Sequence, residues 1–151
     1  MDTVTIIRCL HIIEDLNLKG KEIVKDLEIS AIEAIYNGLG PDRFPEWLRI
    51  IITDVNNLLQ PAAVIHDVRF DIGGTKEDFH AANREFYDNC LTIITAAYPW
   101  YDPRRYKWEF RAWRYYKYCE DFGWSGFHKS DPSDQSDPSD KSDQSERSGK
   151  N

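Results

Sequence analysis

The chain has no long apolar run. No stretch approaches the roughly 18 consecutive apolar residues of a bilayer-spanning helix, so no transmembrane segment is expected. Cysteine is scarce. Cys9, Cys90 and Cys119 are odd in number, widely spaced and without a CxxC pair. A disulfide scaffold is therefore excluded, and packing must hold the core; the thiols are either buried and free or joined in one incidental bridge. Basic charge is also short. Nineteen Lys and Arg stand against 26 Asp and Glu, for a formal net charge of -7. Such a balance argues against duplex DNA or RNA as a general partner. His11, His80 and His128 have no spaced partners, so no zinc motif is present. The first residues, MDTVTIIRCLHIIEDLNLKG, do not read as a signal peptide, because Asp2 precedes the apolar stretch and Arg8 and His11 interrupt it.

What remains is ordinary globular composition. Of 151 residues, 41% are hydrophobic and 30% charged, enough for one domain with one core. Thr3 to Leu16 fit either a helix or a strand. GKEIVKDLEISAIEAIYNGLG carries Ile23, Leu27, Ile32 and Ile35 near helical spacing, and NGLGP stops it. Phe44 to Gln60 is expected to be a helix opened by Pro45. Pro61 opens or kinks the next, and Gly73 and Gly74 end it. Thr75 with Asp78 has capping-box spacing before a helix whose apolar face is Phe79, Ala82, Phe86, Cys90, Ile93 and Ala97. Pro99 and Pro103 break the chain before RRYKWEFRAWRYYKYCEDF, a last helix. The fold class expected is all-α, with residues 1–129 forming one helical domain.

From Ser130 the composition changes. SDPSDQSDPSDKSDQSERSGKN has serine at every third position and no apolar side chain except proline. Burial cannot offset its ordering entropy, so residues 130–151 are expected to form a disordered tail.

One dipeptide carries candidate chemistry. In QPAAVIHDVRFDIGG, His66 precedes Asp67. Imidazole can take a proton from water near neutral pH. Adjacent helical positions point about 100° apart, so Asp67 is not the natural orienting partner of His66 and is free for another task, such as binding a hard cation. Such a cation also needs backbone carbonyls, which a glycine-permissive loop like YNGLGP can supply.

YNGLGP, then PAAVIHDVRF, then AANREF resembles the phospholipase A2-like superfamily, and the disulfide-free viral and phage members most of all. The resemblance covers about a third of the chain. It implies packed antiparallel helices with a glycine-rich metal-binding loop, and calcium-dependent hydrolysis of the sn-2 ester of glycerophospholipids. His66 would activate water. Asp67 would ligate Ca2+, together with carbonyls of Tyr36, Gly38 and Gly40. The implied partners are a phospholipid membrane surface and viral or phage structural proteins, and the implied setting is a particle that breaches a membrane. Two positions depart from the family pattern. Phe70 stands where tyrosine is usual, and Asn83 where an aspartate fixes the histidine. Asn83 can still accept the imidazole N–H but brings no charge. The alternative implied is a catalytically weakened module with a structural or membrane-docking role.

Between Arg104 and Lys117, six basic residues meet one acid, Glu109, and aromatic rings interleave with them. A small core cannot absorb every ring. Some are expected at the surface, whether packed beside snorkelling arginines, at a lipid headgroup boundary or in a protein interface.

Overall fold

The computed structural model describes residues 2–38 and 58–127. The expected helix from Phe44 and the expected tail lie outside them, apart from Leu58 to Gln60. The described residues form six packed helices and no β-strand: α1 (Thr3–Asp15), α2 (Lys21–Lys25), α3 (Ile29–Gly38), α4 (Gln60–Ile72), α5 (Lys76–Ala97) and α6 (Pro103–Phe122), followed by a 3-10 turn, Gly123–Gly126.

The first segment, open between helix and strand in sequence, is helical. Asp2 accepts the Thr5 N–H at 2.8 Å and caps α1. Ile6, Cys9 and Ile13, at helical steps, point into the core. Asn17 ends the helix in the left-handed region at φ 48°. Its N–H reaches Glu14 O, and the Leu18 N–H reaches Ile13 O at 3.0 Å, satisfying two carbonyls of the last turn.

The next expected helix is split in two. The step from Leu27 to Ile32 is five residues, which throws the apolar stripe out of register. The chain breaks there: Asp26 caps the end of α2, and the N–H groups of Ala31 and Ile32 turn back to Glu28 O to start α3.

Helix α4 is the hub and touches α1, α2, α3 and α5. Pro61 sits in its first turn, where a missing N–H costs nothing. Ala62, Val64, Ile65, His66, Val68 and Phe70 are all buried, so this helix is covered on most sides. Gly73 closes it at φ 70°, a conformation that glycine reaches without strain. Thr75 and Asp78 then form the expected capping box, opening α5. Asp102 caps α6, with Pro103 in its first turn.

Two apolar clusters result. The larger joins α1 to α4 and α5 through Ile6, Ile13, Ile65, Phe86 and Ile94. The smaller comprises Phe70, Phe79, Ala82 and Phe127, with Trp124 against it. Phe127 stands edge-on to Phe70 at 5.2 Å and to Phe79 at 5.5 Å, tying the end of α6 to α4 and α5. Each such ring contributes about 2–3 kcal/mol by leaving water.

Candidate functional site

His66 lies inward on α4 and Asn83 inward on α5, 17 positions later in the chain. The packing of the two helices brings His66 Nε2 within 2.8 Å of Asn83 Oδ1. The rings of Phe70 and Phe86 flank the imidazole at 4.2 and 4.8 Å. Asn83 is fully buried. Its amide reaches a third helix, because Nδ2 donates to Glu120 Oε1 of α6 at 2.9 Å. The other oxygen of Glu120 meets His80 Nδ1 at 2.7 Å, at the surface.

This chain of contacts fixes the protons. A carboxylate only accepts, so the Asn83 NH2 must face Glu120 and its carbonyl must face His66. His66 therefore donates from Nε2 and keeps an unprotonated Nδ1. The same logic makes His80 Nδ1–H the donor to Glu120 Oε2. Burial pushes the His66 pKa down to about 4, opposed by its hydrogen bond to Asn83, so the imidazole is neutral at pH 7.

Asp67 behaves in the opposite sense. Burial pushes its pKa up to about 7. It retains 26% of its side-chain exposure against 9% for His66, so solvent tempers its shift more. His66 Nδ1 and Asp67 Oδ1 are 4.0 Å apart, beyond hydrogen-bond reach. Cys119 of α6 is close by. Burial, then the charges of Asp67 and Glu120, push its thiol up to about 12, so it stays protonated and unreactive.

The calcium expectation is overturned here. Among the described residues, no three His, Cys, Asp or Glu side chains gather closely enough to hold a metal ion. Ca2+ takes roughly six to eight oxygens. Asp67 offers one carboxyl. Tyr36 and Gly38 lie in the last turn of α3, and Gly40 lies outside the described residues. The Ca2+-dependent hydrolysis of glycerophospholipids falls with the metal, and so does the role in breaching a membrane that was to follow from it. Among the described residues no helix is long and apolar enough to cross a bilayer.

Two residues of this polar interior were missed in sequence. Glu120 supplies the negative charge absent at Asn83, one residue further out. Asn89, also buried on α5, makes a closed pair with the Lys19 backbone: its Oδ1 accepts the Lys19 N–H and its Nδ2 donates to the Lys19 carbonyl, both at 2.9 Å. Asp78 and Asp88 serve elsewhere, Asp78 in the cap and Asp88 in an ion pair with Lys19 at 2.7 Å.

The outer side of α6 has a different character. Trp100 is 75% exposed, Phe110 59% and Trp113 47%, and Tyr101 and Tyr106 are open as well. Tyr106, Phe110 and Trp113 stand at steps of four and three, which makes one stripe. Phe110 and Trp113 stack at 6.0 Å. Beside the stripe are the helix's bases. Arg104 pairs with Asp102, Arg105 with Glu109 and Lys117 with Asp121. Lys107, Arg111 and Arg114 have no acidic partner among the described residues; Arg111 lies over the Trp108 ring at 5.0 Å and Arg114 reaches the Tyr118 hydroxyl.

No family model matches the chain, and no curated protein or solved structure matches it either.

Proposed function

We propose that the chain is a non-hydrolytic module of phospholipase A2-like ancestry, the docking component of a viral or phage particle, and that its occupant is an anionic phospholipid surface. The reading of ancestry is supported by the His66–Asn83 contact across two helices, the place where the family sets histidine against aspartate. The loss of hydrolysis is supported by the lack of a metal-binding cluster among the described residues and by the amide at position 83.

One observation carries the docking role: the exposed stripe of Tyr106, Phe110 and Trp113 beside Lys107, Arg111 and Arg114. Tryptophan and tyrosine place an apolar ring and a polar edge at the headgroup boundary. Each Lys or Arg near an anionic surface adds about 1 kcal/mol of attraction at moderate salt. The rest of the chain is acidic, so the contact is confined to this face and the molecule lies on the bilayer without entering it.

Co-sedimentation with vesicles tests this. Binding is expected to phosphatidylserine-containing vesicles and not to pure phosphatidylcholine, and is expected to fall at least tenfold in the doubly substituted Phe110→Ser, Trp113→Ser protein. Absence of binding to either vesicle, or binding that the double substitution leaves unchanged, overturns the reading. Fatty acid release on adding calcium would restore the hydrolase.

A further inference from the structure

Lys107, Arg111 and Arg114 on α6, which have no acidic partner among the described residues, have a complement within the chain itself. From Ser130 to Glu146 the sequence holds six acids, Asp131, Asp134, Asp137, Asp140, Asp143 and Glu146, against one base, Lys141. The acids recur at every third position, so negative charge is spread evenly along the segment. From Arg104 to Lys117 there are six bases against one acid. These two segments are the most one-sided in charge in the chain, and their signs are opposite.

Their placement favours contact. Phe127, the last described residue, is anchored among Phe70 and Phe79 just beyond the end of α6. The residues from 128 to 151 start from that point. Extended, they reach up to about 80 Å. Helix α6, with 20 residues, is about 30 Å long. The acids can therefore lie back along Arg114, Arg111 and Lys107 with slack to spare. A short tether of this kind acts at an effective concentration in the millimolar range.

We infer that the acidic serine-rich segment 130–146 occupies the Lys107, Arg111, Arg114 stripe in the free protein and is displaced from it by an anionic lipid surface. This rests on the docking role proposed above and names what regulates it. Exposed ion pairs are individually weak and screened by salt. The cover is therefore loose: strong enough to compete with a sparse anionic surface, and yielding to a dense one.

Two measurements on the full chain test it. The first needs no lipid. A zero-length carbodiimide joins carboxylates to neighbouring amines. Peptide mapping is expected to find Lys107 joined to acids of 131–146 at low salt, far more often than Lys25, an exposed lysine on α2, with the excess lost at high salt. The second compares wild type with a chain in which the five aspartates become Asn and Glu146→Gln. The neutralised chain is expected to bind phosphatidylserine vesicles roughly five- to tenfold more tightly. Equal joining at Lys107 and Lys25 overturns the seating of the segment. Joining at Lys107 with unchanged vesicle affinity overturns the competition. If the Phe110, Trp113 double substitution has no effect on lipid binding, the docking role itself fails, whatever the cross-links show.

Discussion

Helix α5 carries two buried asparagines in two different neighbourhoods. Asn89 faces the bend that follows α1 and satisfies both backbone groups of Lys19, one N–H and one C=O. Every partner there is neutral, and nothing in it can change protonation near neutral pH. Asn83 faces α4 and α6 and stands between two ionisable groups, His66 and Glu120. The same side chain therefore acts once as a fixed staple and once as a spacer that keeps an imidazole from a carboxylate. The difference teaches that burial of an amide does not by itself make a neighbourhood sensitive to pH; the ionisable neighbours do.

The contrast is sharpest in pH dependence, where the largest effect is expected. The folded pKa of His66 is depressed from 6.5 to about 4, so the unfolded chain binds the extra proton and stability falls as pH drops from about 6.5 to about 4. For Asp67 the folded pKa is raised from 3.8 to about 7, so its contribution is full below 3.8 and is lost as pH rises toward 7. Between about pH 4 and 6.5 the two slopes cancel, and folding in effect hands a proton from imidazolium to carboxyl. Asp67→Asn removes one arm. Urea unfolding of that variant is expected to show a loss of about 3 kcal/mol from pH 6.5 to pH 4 that wild type does not show. A variant as flat as wild type would mean that His66 is protonated in the fold.

The staple comes next. Asn89→Leu leaves the Lys19 N–H and C=O without partners, and a loss of about 2 kcal/mol is expected, independent of pH between 5 and 8. Chemical denaturation at the two pH values measures it; a clear slope with pH would erase the distinction between the two amides.

Asn83→Asp should have a smaller effect at low pH and a larger one at high pH. Its new oxygen would face Glu120 Oε1 across the present 2.9 Å contact, and two such carboxylates cannot both ionise. The variant is expected to be about 1–2 kcal/mol less stable at pH 8 than at pH 5, relative to wild type. NMR titration of the His66 ring should show its pKa rising. A variant equally stable at both values would remove Glu120 from the network. The smallest effect is expected at the surface: Phe110→Ser alone should change stability by no more than about 0.5 kcal/mol, since its ring is mostly in water already.

Local chemistry made much of the fold legible. Thr75 and Asp78 announce a helix start through side-chain geometry spanning three residues, and Pro61 and Gly73 mark ends through backbone constraint alone. The break between α2 and α3 is masked because Ile23, Leu27, Ile32 and Ile35 approximate one helical stripe, and only the five-residue step from Leu27 to Ile32 marks it. His66 and Asn83 could be paired from the motif resemblance, yet Glu120 could not. It lies 37 positions from Asn83, and only the crossing of α5 and α6 brings it there. The calcium site failed for a related reason. A motif names one carboxylate but cannot count the other acidic side chains around it. The aromatic excess of α6 was visible in composition; which rings face outward was not.

One small position links the N-terminal helices to α4 and α5. A methyl group placed on Gly20 would stand 2.5 Å from Glu85 Oε1 and 2.9 Å from the Ile65 side chain. Glu85 is also the acid that grips the Arg69 guanidinium through both oxygens. A side chain at residue 20 would have to push that carboxylate aside, loosening its grip on Arg69, and would crowd Ile65 in a backbone conformation, φ 77°, that favours glycine. The bareness of a single α-carbon thus acts as a keyhole through which Glu85 and Ile65 approach the bend ahead of α2.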